Sequence, residues 1–233
     1  MSNRTAILVD GGFFRKRAKK LWGPHTAGET ADALVTYCRR HLREHHIQHE
    51  LYRIFYYDCP PINKQMYHPL LKKTINLGVS DESKWMTDFL DALREKRKLA
   101  LRMGALDIGS SVYTLKYDAV KKLCAGTLSV DALDATHFEP TIRQKGVDMR
   151  IGADIISLAY KQQVDQIVLI AGDSDFVPVA KLARREGIDF ILDPMEMEIR
   201  NDRELMEHID GKRSCGNPYP SDDPGDRIDT YQV

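Results

Sequence analysis

Four short apolar runs punctuate the chain. RTAILVDGG (Arg4–Gly12) stops at Asp10 and two glycines. LYRIFYYDCPP (Leu51–Pro61) stops at Asp58 and a proline. QIVLIAGDSD (Gln166–Asp175) runs into Asp173 and Asp175, and DFILDP (Asp189–Pro194) is the fourth. Unbroken apolar runs of this length, rich in β-branched and aromatic residues, predict strands buried on both faces.

Helical spacing lies between them. ETADALVTYCRRHLREHH (Glu29–His46) puts Leu34, Cys38 and Leu42 on one stripe, and VDMRIGADIISLAYKQQ (Val147–Gln163) does the same with Ile151, Ile155, Leu158 and Ala159. DFVPVAKLARREG (Asp175–Gly187) has Pro178 in its first turn, basic residues in its last and a terminal glycine, which are helix boundary signals. Strands alternating with helices predict an α/β fold with a parallel sheet.

Residues 62–145 are less regular and read as an elaboration of the same domain. SDESKWMTDFLDALREKRK (Ser80–Lys98) predicts an amphipathic helix, and LALRMGALDIG with SVYTLKYD predicts a strand pair or hairpin around Ser110 and Ser111. The domain is expected to span 1–210. Residues 211–233, rich in Gly, Pro, Asp and Ser, are expected to form an acidic, flexible tail.

Composition narrows the classes. A chain of 233 residues, 42% of them hydrophobic, can build one domain with a proper core. No apolar run approaches the length of a membrane span, so no membrane partner is expected. Cys38, Cys59, Cys124 and Cys215 lack CxxC spacing, which favours a reduced, cytoplasmic compartment. The net charge is zero but uneven: +7 over residues 1–100 and −7 over residues 189–233. That split is either ordinary solvated surface or a basic N-terminal region that meets an anion.

In an open parallel sheet, ligands bind beyond the carboxyl ends of the strands. Asp10, Asp58, Asp173 and Asp175 fall at such ends. Clustered carboxylates repel one another unless a proton or a cation intervenes, and a hard divalent cation, Mg²⁺ or Mn²⁺, suits an all-oxygen site. Asp148 lies near a helix start, beside Gly146 and Lys145. Asp154 follows six residues later, about 120° around the same helix. Its bland alternative is a partly buried acid bonded to a neighbour.

Three blocks, AILVDGGFF, QKGVDMRIGADI and LIAGDSDFVPVAKLARREGIDF, resemble the NYN domain, in its LabA-like branch, of the PIN-like nuclease superfamily. Many members carry Asn where this chain has Gly12. The resemblance implies a Rossmann-like parallel sheet sandwiched by helices. It also implies a metal-dependent ribonuclease whose acids correspond to Asp10, Asp148, Asp173 and Asp175. Asp154 matches an acid frequent in that branch but not throughout the superfamily. The implied chemistry is hydrolysis of a phosphodiester in single-stranded or structured RNA, with carboxylates holding one or two Mg²⁺ or Mn²⁺ ions. A homodimer is left open.

Substrate contacts are expected from Ser174, Lys145, Arg15, Lys16 and Arg17. Ser174 has a plain alternative as a helix cap. The segment FFRKRAKKLWG (Phe13–Gly23) mixes five basic residues with Phe13, Phe14 and Trp22, a combination that suits single-stranded nucleic acid. Its alternative is an amphipathic helix whose aromatic side packs on the sheet. His41, His45 and His49 are spaced by four, which a helix C-terminus explains without a metal. Against the nuclease stand an RNA-binding or regulatory module with a weak site, and a phosphatase-like enzyme. The first strand offers no DxDx(T/V) nucleophile for the latter.

Overall fold

A computed structural model describes residues 3–44, 47–197, 207–219 and 230–232. His45 lies outside them, as do the side chains of Ile108 and Ser174. In chain order the elements are β1 (Arg4–Asp10), α1 (Gly11–Trp22), α2 (Ala27–Arg40), β2 (Arg43–Glu44), β3 (Ile47–Gln48), β4 (Glu50–Asp58), β5 (Gln65–His68) and β6 (Lys73–Asn76). Then come α3 (Asp81–Arg94), β7 (Leu99–Met103), β8 (Ala105–Leu115), α4 (Tyr117–Cys124), β9 (Phe138–Lys145) and α5 (Val147–Tyr160). The last are β10 (Gln166–Ile170), α6 (Val177–Arg185), β11 (Asp189–Asp193), β12 (Gly211–Ser214) and β13 (Thr230–Gln232).

The chain forms two compact units. The first holds residues 1–58, 88–104 and 146–233. Its sheet runs β13-β12-β11-β10-β1-β4-β7, with all neighbours parallel except β12 and β13. The apolar runs fill its middle: Ile7, Leu8, Ile54, Val168, Leu169 and Phe190 are fully buried. Successive residues of β4 face opposite ways, as a pleated strand requires. Tyr56 meets Phe89 of α3 on one face, while Tyr57 donates a hydrogen bond to Asp154 of α5 on the other. Helices thus cover both faces, the α/β sandwich that the alternating pattern predicts. No described helix is long and apolar enough to cross a membrane.

The second unit holds residues 59–87 and 105–145. It contains the β5–β6 hairpin, the first turns of α3, the β8–β9 antiparallel pair and α4. His68 is buried there between the rings of Tyr113 and Phe138.

Three sequence expectations fail. The helix expected to reach His46 ends at Arg40, because His41 turns inward as its C-cap and is fully buried. The strand pair expected around Ser110 and Ser111 does not form: LALRM is β7 of the main sheet, and both serines lie inside β8, whose partner is β9. The expected flexible tail instead begins with a strand. Gly211–Ser214 pairs with β11, Arg213 and Cys215 are buried, and Tyr219 stacks on His25. A few buried side chains suffice to dock a short strand, and counting apolar residues misses a buried arginine.

Candidate active site at the carboxyl edge of the sheet

From β1 the chain builds outward through β4 to β7. It then returns to the other side of β1 and builds outward through β10, β11 and β12. Numbered by chain order, the six parallel strands read 3-2-1-4-5-6, the doubly wound order in which a crevice opens where the direction of winding reverses. That point lies between β1 and β10, which pair from Thr5↔Gln166 to Val9↔Ile170. Asp10 is the last residue of β1. Ala171 and Gly172 carry the chain from β10 to Asp173. Helix α5, which feeds β10, has Asp148 in its first turn.

Two glycines let the turns come this close. A Cβ on Gly11 would stand 2.4 Å from the Tyr56 hydroxyl and 2.5 Å from Asp58 Oδ2. One on Gly172 would stand 2.4 Å from Cε2 of Phe13. Asp10 caps α1, its Oδ1 accepting from the Phe13 amide at 3.1 Å. Asp173 Oδ1 accepts from the Asp175 amide at 3.1 Å and so shapes the turn leading into α6.

Two of the four acids, Asp10 and Asp148, are shifted in the same direction. Burial pushes the Asp10 carboxyl above the ordinary aspartate range; the Phe13 amide opposes this, while the charges of Asp148 and Asp58 add to it. Burial also raises the Asp148 carboxyl, and the charges of Asp173 and Asp175 raise it further. Asp148 therefore links the β1 acid to the pair after β10. Asp173 and Asp175 are exposed. The donor set is all oxygen, and no ion pair to a described residue offsets it. Such a set suits a hard cation. Among the described residues, no three His, Cys, Asp or Glu side chains are gathered closely enough to form a metal-binding group.

The other sequence-selected residues are engaged elsewhere. Asp58 is buried, accepts from the Tyr56 hydroxyl at 2.9 Å and pairs with Arg15 at 3.1 Å. Asp154 accepts from the Tyr57 hydroxyl at 2.8 Å and from Arg102 Nε at 2.9 Å. Arg17 donates to the Met195 carbonyl at 3.0 Å, and Lys16 is exposed on α1. Lys145 pairs with Asp107 at 2.7 Å. Phe14 and Trp22 pack edge to face, and Trp22 also meets Tyr37 of α2. Phe14 and Trp22 of Phe13–Gly23 therefore pack toward the core.

Sequence reasoning missed one constellation. Asp193 ends β11 and is fully buried. It accepts from His41 Nε2 at 2.8 Å, from the Ser214 hydroxyl at 2.7 Å and from the Met195 amide at 2.7 Å. Arg213 Nε lies 3.3 Å from the other ring nitrogen of His41. Asp193 stands in the sequence exactly as the other strand-end acids do, and only its burial distinguishes it.

The NYN domain model matches residues 88–201. This supports an NYN domain protein. The match contains Asp148, Asp173 and Asp175, whereas Asp10 and Asp58 precede it. An NYN domain implies the PIN-like nuclease superfamily, and the parallel sheet flanked by helices agrees with that fold. No curated protein matches the chain. A crystal structure of a protein of unknown function from Vibrio parahaemolyticus is similar over 91% of this chain and 91% of its own, at 13% identity and a TM-score of 0.44.

Proposed function

We propose that the chain is a metal-dependent endoribonuclease of the LabA-like branch, hydrolysing phosphodiester bonds of RNA where β1 and β10 part. One observation carries this reading: Asp10 ends β1, Asp173 and Asp175 follow its partner β10, and Asp148 opens α5, the helix that feeds β10, at the point where the winding of the sheet reverses. Asp10 and Asp173, each fixed by a backbone amide, would hold Mg²⁺ or Mn²⁺, with Asp148 and Asp175 beside them. Bound there, the cation would supply Lewis-acid stabilisation of charge on the phosphate.

The protein's own groups do the rest. Asp148 and Asp175 accept hydrogen bonds from the attacking water and turn its lone pair toward phosphorus. The water oxygen joins phosphorus, the bond to the departing oxygen breaks, and the water proton ends on the leaving hydroxyl. Lys16, exposed on α1, offers a positive charge to neighbouring phosphates.

The test is incubation of the purified chain with single-stranded RNA, double-stranded RNA and DNA, in Mg²⁺, Mn²⁺ or chelator. RNA should be cleaved with either metal and not with chelator. Asp173→Asn should lower cleavage by at least a hundredfold while circular dichroism and RNA binding persist. An Asp173→Asn protein that cleaves as fast as the parent refutes the assignment. RNA binding without cleavage in any metal replaces it with a binding module.

A further inference from the structure

Helix α1 lies across the carboxyl ends of the strands, as three contacts along its length show. The Phe13 ring packs on Gly172, just past β10. Arg17 Nε donates to the Met195 carbonyl at 3.0 Å, two residues past β11. The Trp22 and Tyr219 rings meet edge to face with centroids 6.0 Å apart, five residues past β12. From Phe13 to Trp22 the helix rises about 13 Å, against about 10 Å for two strand spacings. Starting from Asp10, α1 therefore passes the exits of β10, β11 and β12 in turn.

The two sides of α1 divide by chemistry. Gly11, Phe14 and Ala18 are buried. Lys16, Lys19 and Lys20 are exposed, and their spacing of three and four sets them on one face. Their side chains make no ion pair or hydrogen bond with a described residue. The nearby acids are engaged or apart. Asp58 pairs with Arg15, Glu29 bonds the Thr26 cap of α2, and Asp193 is bonded to His41. Glu196 is exposed beside Met195 and pairs with none of the three lysines. The helix dipole favours Lys19 and Lys20 in the last turn but does not account for Lys16 one turn earlier. Like charges at this spacing destabilise a helix, and a row of anions laid on them reverses the sign.

We infer that this face is the track by which a single strand of nucleic acid leaves the site, its phosphates meeting Lys16, then Lys19 and Lys20. The inference deepens the nuclease reading and takes its class of ligand from it. One row of charges on one helix suits one phosphate backbone, and the row starts two turns past Asp10.

Lys19 and Lys20 carry the test, because the nuclease reading does not use them. Anisotropy of a labelled single-stranded RNA is measured with the full chain in chelator over a range of salt. Lys19→Gln with Lys20→Gln keeps helix propensity, since Gln and Lys rank together. It should lower the slope of log affinity against log salt by about 1.4, two single-strand phosphate contacts, and weaken low-salt binding by roughly tenfold. Lys161→Gln with Arg185→Gln removes the same charge at the far ends of α5 and α6 and should bind as the parent does. A Lys19/Lys20 variant with the parent's affinity and salt slope overturns the inference. So does an equal loss in the Lys161/Arg185 variant, which would mean attraction by net charge, and so does a parent that binds no single-stranded RNA. The two readings fail separately. A parent that cleaves RNA, with a Lys19/Lys20 variant that binds equally well, loses the track and keeps the nuclease. A parent that binds through Lys19 and Lys20 yet never cleaves keeps the track and loses the nuclease.

Discussion

Two kinds of strand end stand side by side in one sheet. β4 and β11 finish in Asp58 and Asp193, both buried and both bonded within the protein. Asp58 has Arg15 and the Tyr56 hydroxyl; Asp193 has His41, Ser214 and a backbone amide. β1 and the turn after β10 present Asp10, Asp173 and Asp175, joined by Asp148, and there acids face acids. A buried carboxylate is tolerated only when bonded, since an uncompensated one costs several kcal/mol. The fold meets that requirement with side-chain partners at two strand ends; at the reversal point between them it supplies backbone amides to Asp10 and Asp173 and leaves Asp148, Asp173 and Asp175 exposed. The difference separates acids that hold the sheet together from the acids to which the proposed function assigns a cation.

The largest test is at the satisfied ends. Asp193→Ala leaves His41 and Arg213 buried without their acceptor chain and should cost about 3–5 kcal/mol of stability, measured by urea denaturation. Truncation after Asp210 removes β12 with Arg213 and Ser214 and should cost at least as much. A flexible tail predicts no change from that truncation. A loss under about 1 kcal/mol from Asp193→Ala would erase the contrast between the two kinds of end.

Next in size is the response to a cation. Ligand that binds only the folded state stabilises it by about 2.7 kcal/mol at one hundred times its dissociation constant. Saturating Mn²⁺ should therefore raise the parent's melting temperature by several degrees over chelator. Asp10→Asn and Asp173→Asn should abolish the rise. Asp10→Asn keeps the α1 cap, since Asn caps a helix about as well as Asp. Equal Mn²⁺ responses in parent and variants would mean that these acids do not bind the ion.

Much of this was legible in the sequence, for a physical reason. Buried parallel strands must be continuously apolar, so RTAILVD, LYRIFYYD, QIVLI and DFILD reveal themselves as β1, β4, β10 and β11. Helix α6 shows its bounds through Pro178 and Gly187. What the sequence hides is how each acid is compensated. Arg15 reads as a phosphate contact until it is seen against Asp58, 43 residues away. His41 and Asp193 are 152 residues apart, and no local spacing links them. Arg213 sits in a polar, Gly- and Pro-containing stretch that looks unable to dock. β8 was misread because Gly109, Ser110 and Ser111 suggest a turn, whereas β9 supplies a long partner that carries them as an irregularity between Asp107 and Val112.

The smallest effect is the sharpest on the reversal point. In Asp148→Asn two terms oppose each other. The carboxylate sits in the first turn of α5, where the helix dipole favours negative charge by about 0.3–1 kcal/mol. Burial and the charges of Asp173 and Asp175 disfavour it, and the raised carboxyl means that the disfavouring terms win. A group whose folded pKa is raised binds its proton more readily in the native state, so the native state loses stability as pH rises from the ordinary aspartate value through the folded one. Above the folded value the penalty is complete. At neutral pH and low salt, Asp148→Asn should therefore be more stable than the parent by a few tenths of a kcal/mol, a small gain because the residue is exposed and its neighbours' charges are screened by water. The gain should shrink in high salt. It should also vanish on acidification below about pH 3.9, where the parent's carboxyl is protonated in both states. If the proposed metal site holds, Mn²⁺ should reverse its sign, since the parent alone offers it all four carboxylates. Denaturation curves at neutral and acidic pH, with and without Mn²⁺, measure each of these. A variant less stable than the parent in chelator at neutral pH would place Asp148 among the structural acids, beside Asp58 and Asp193.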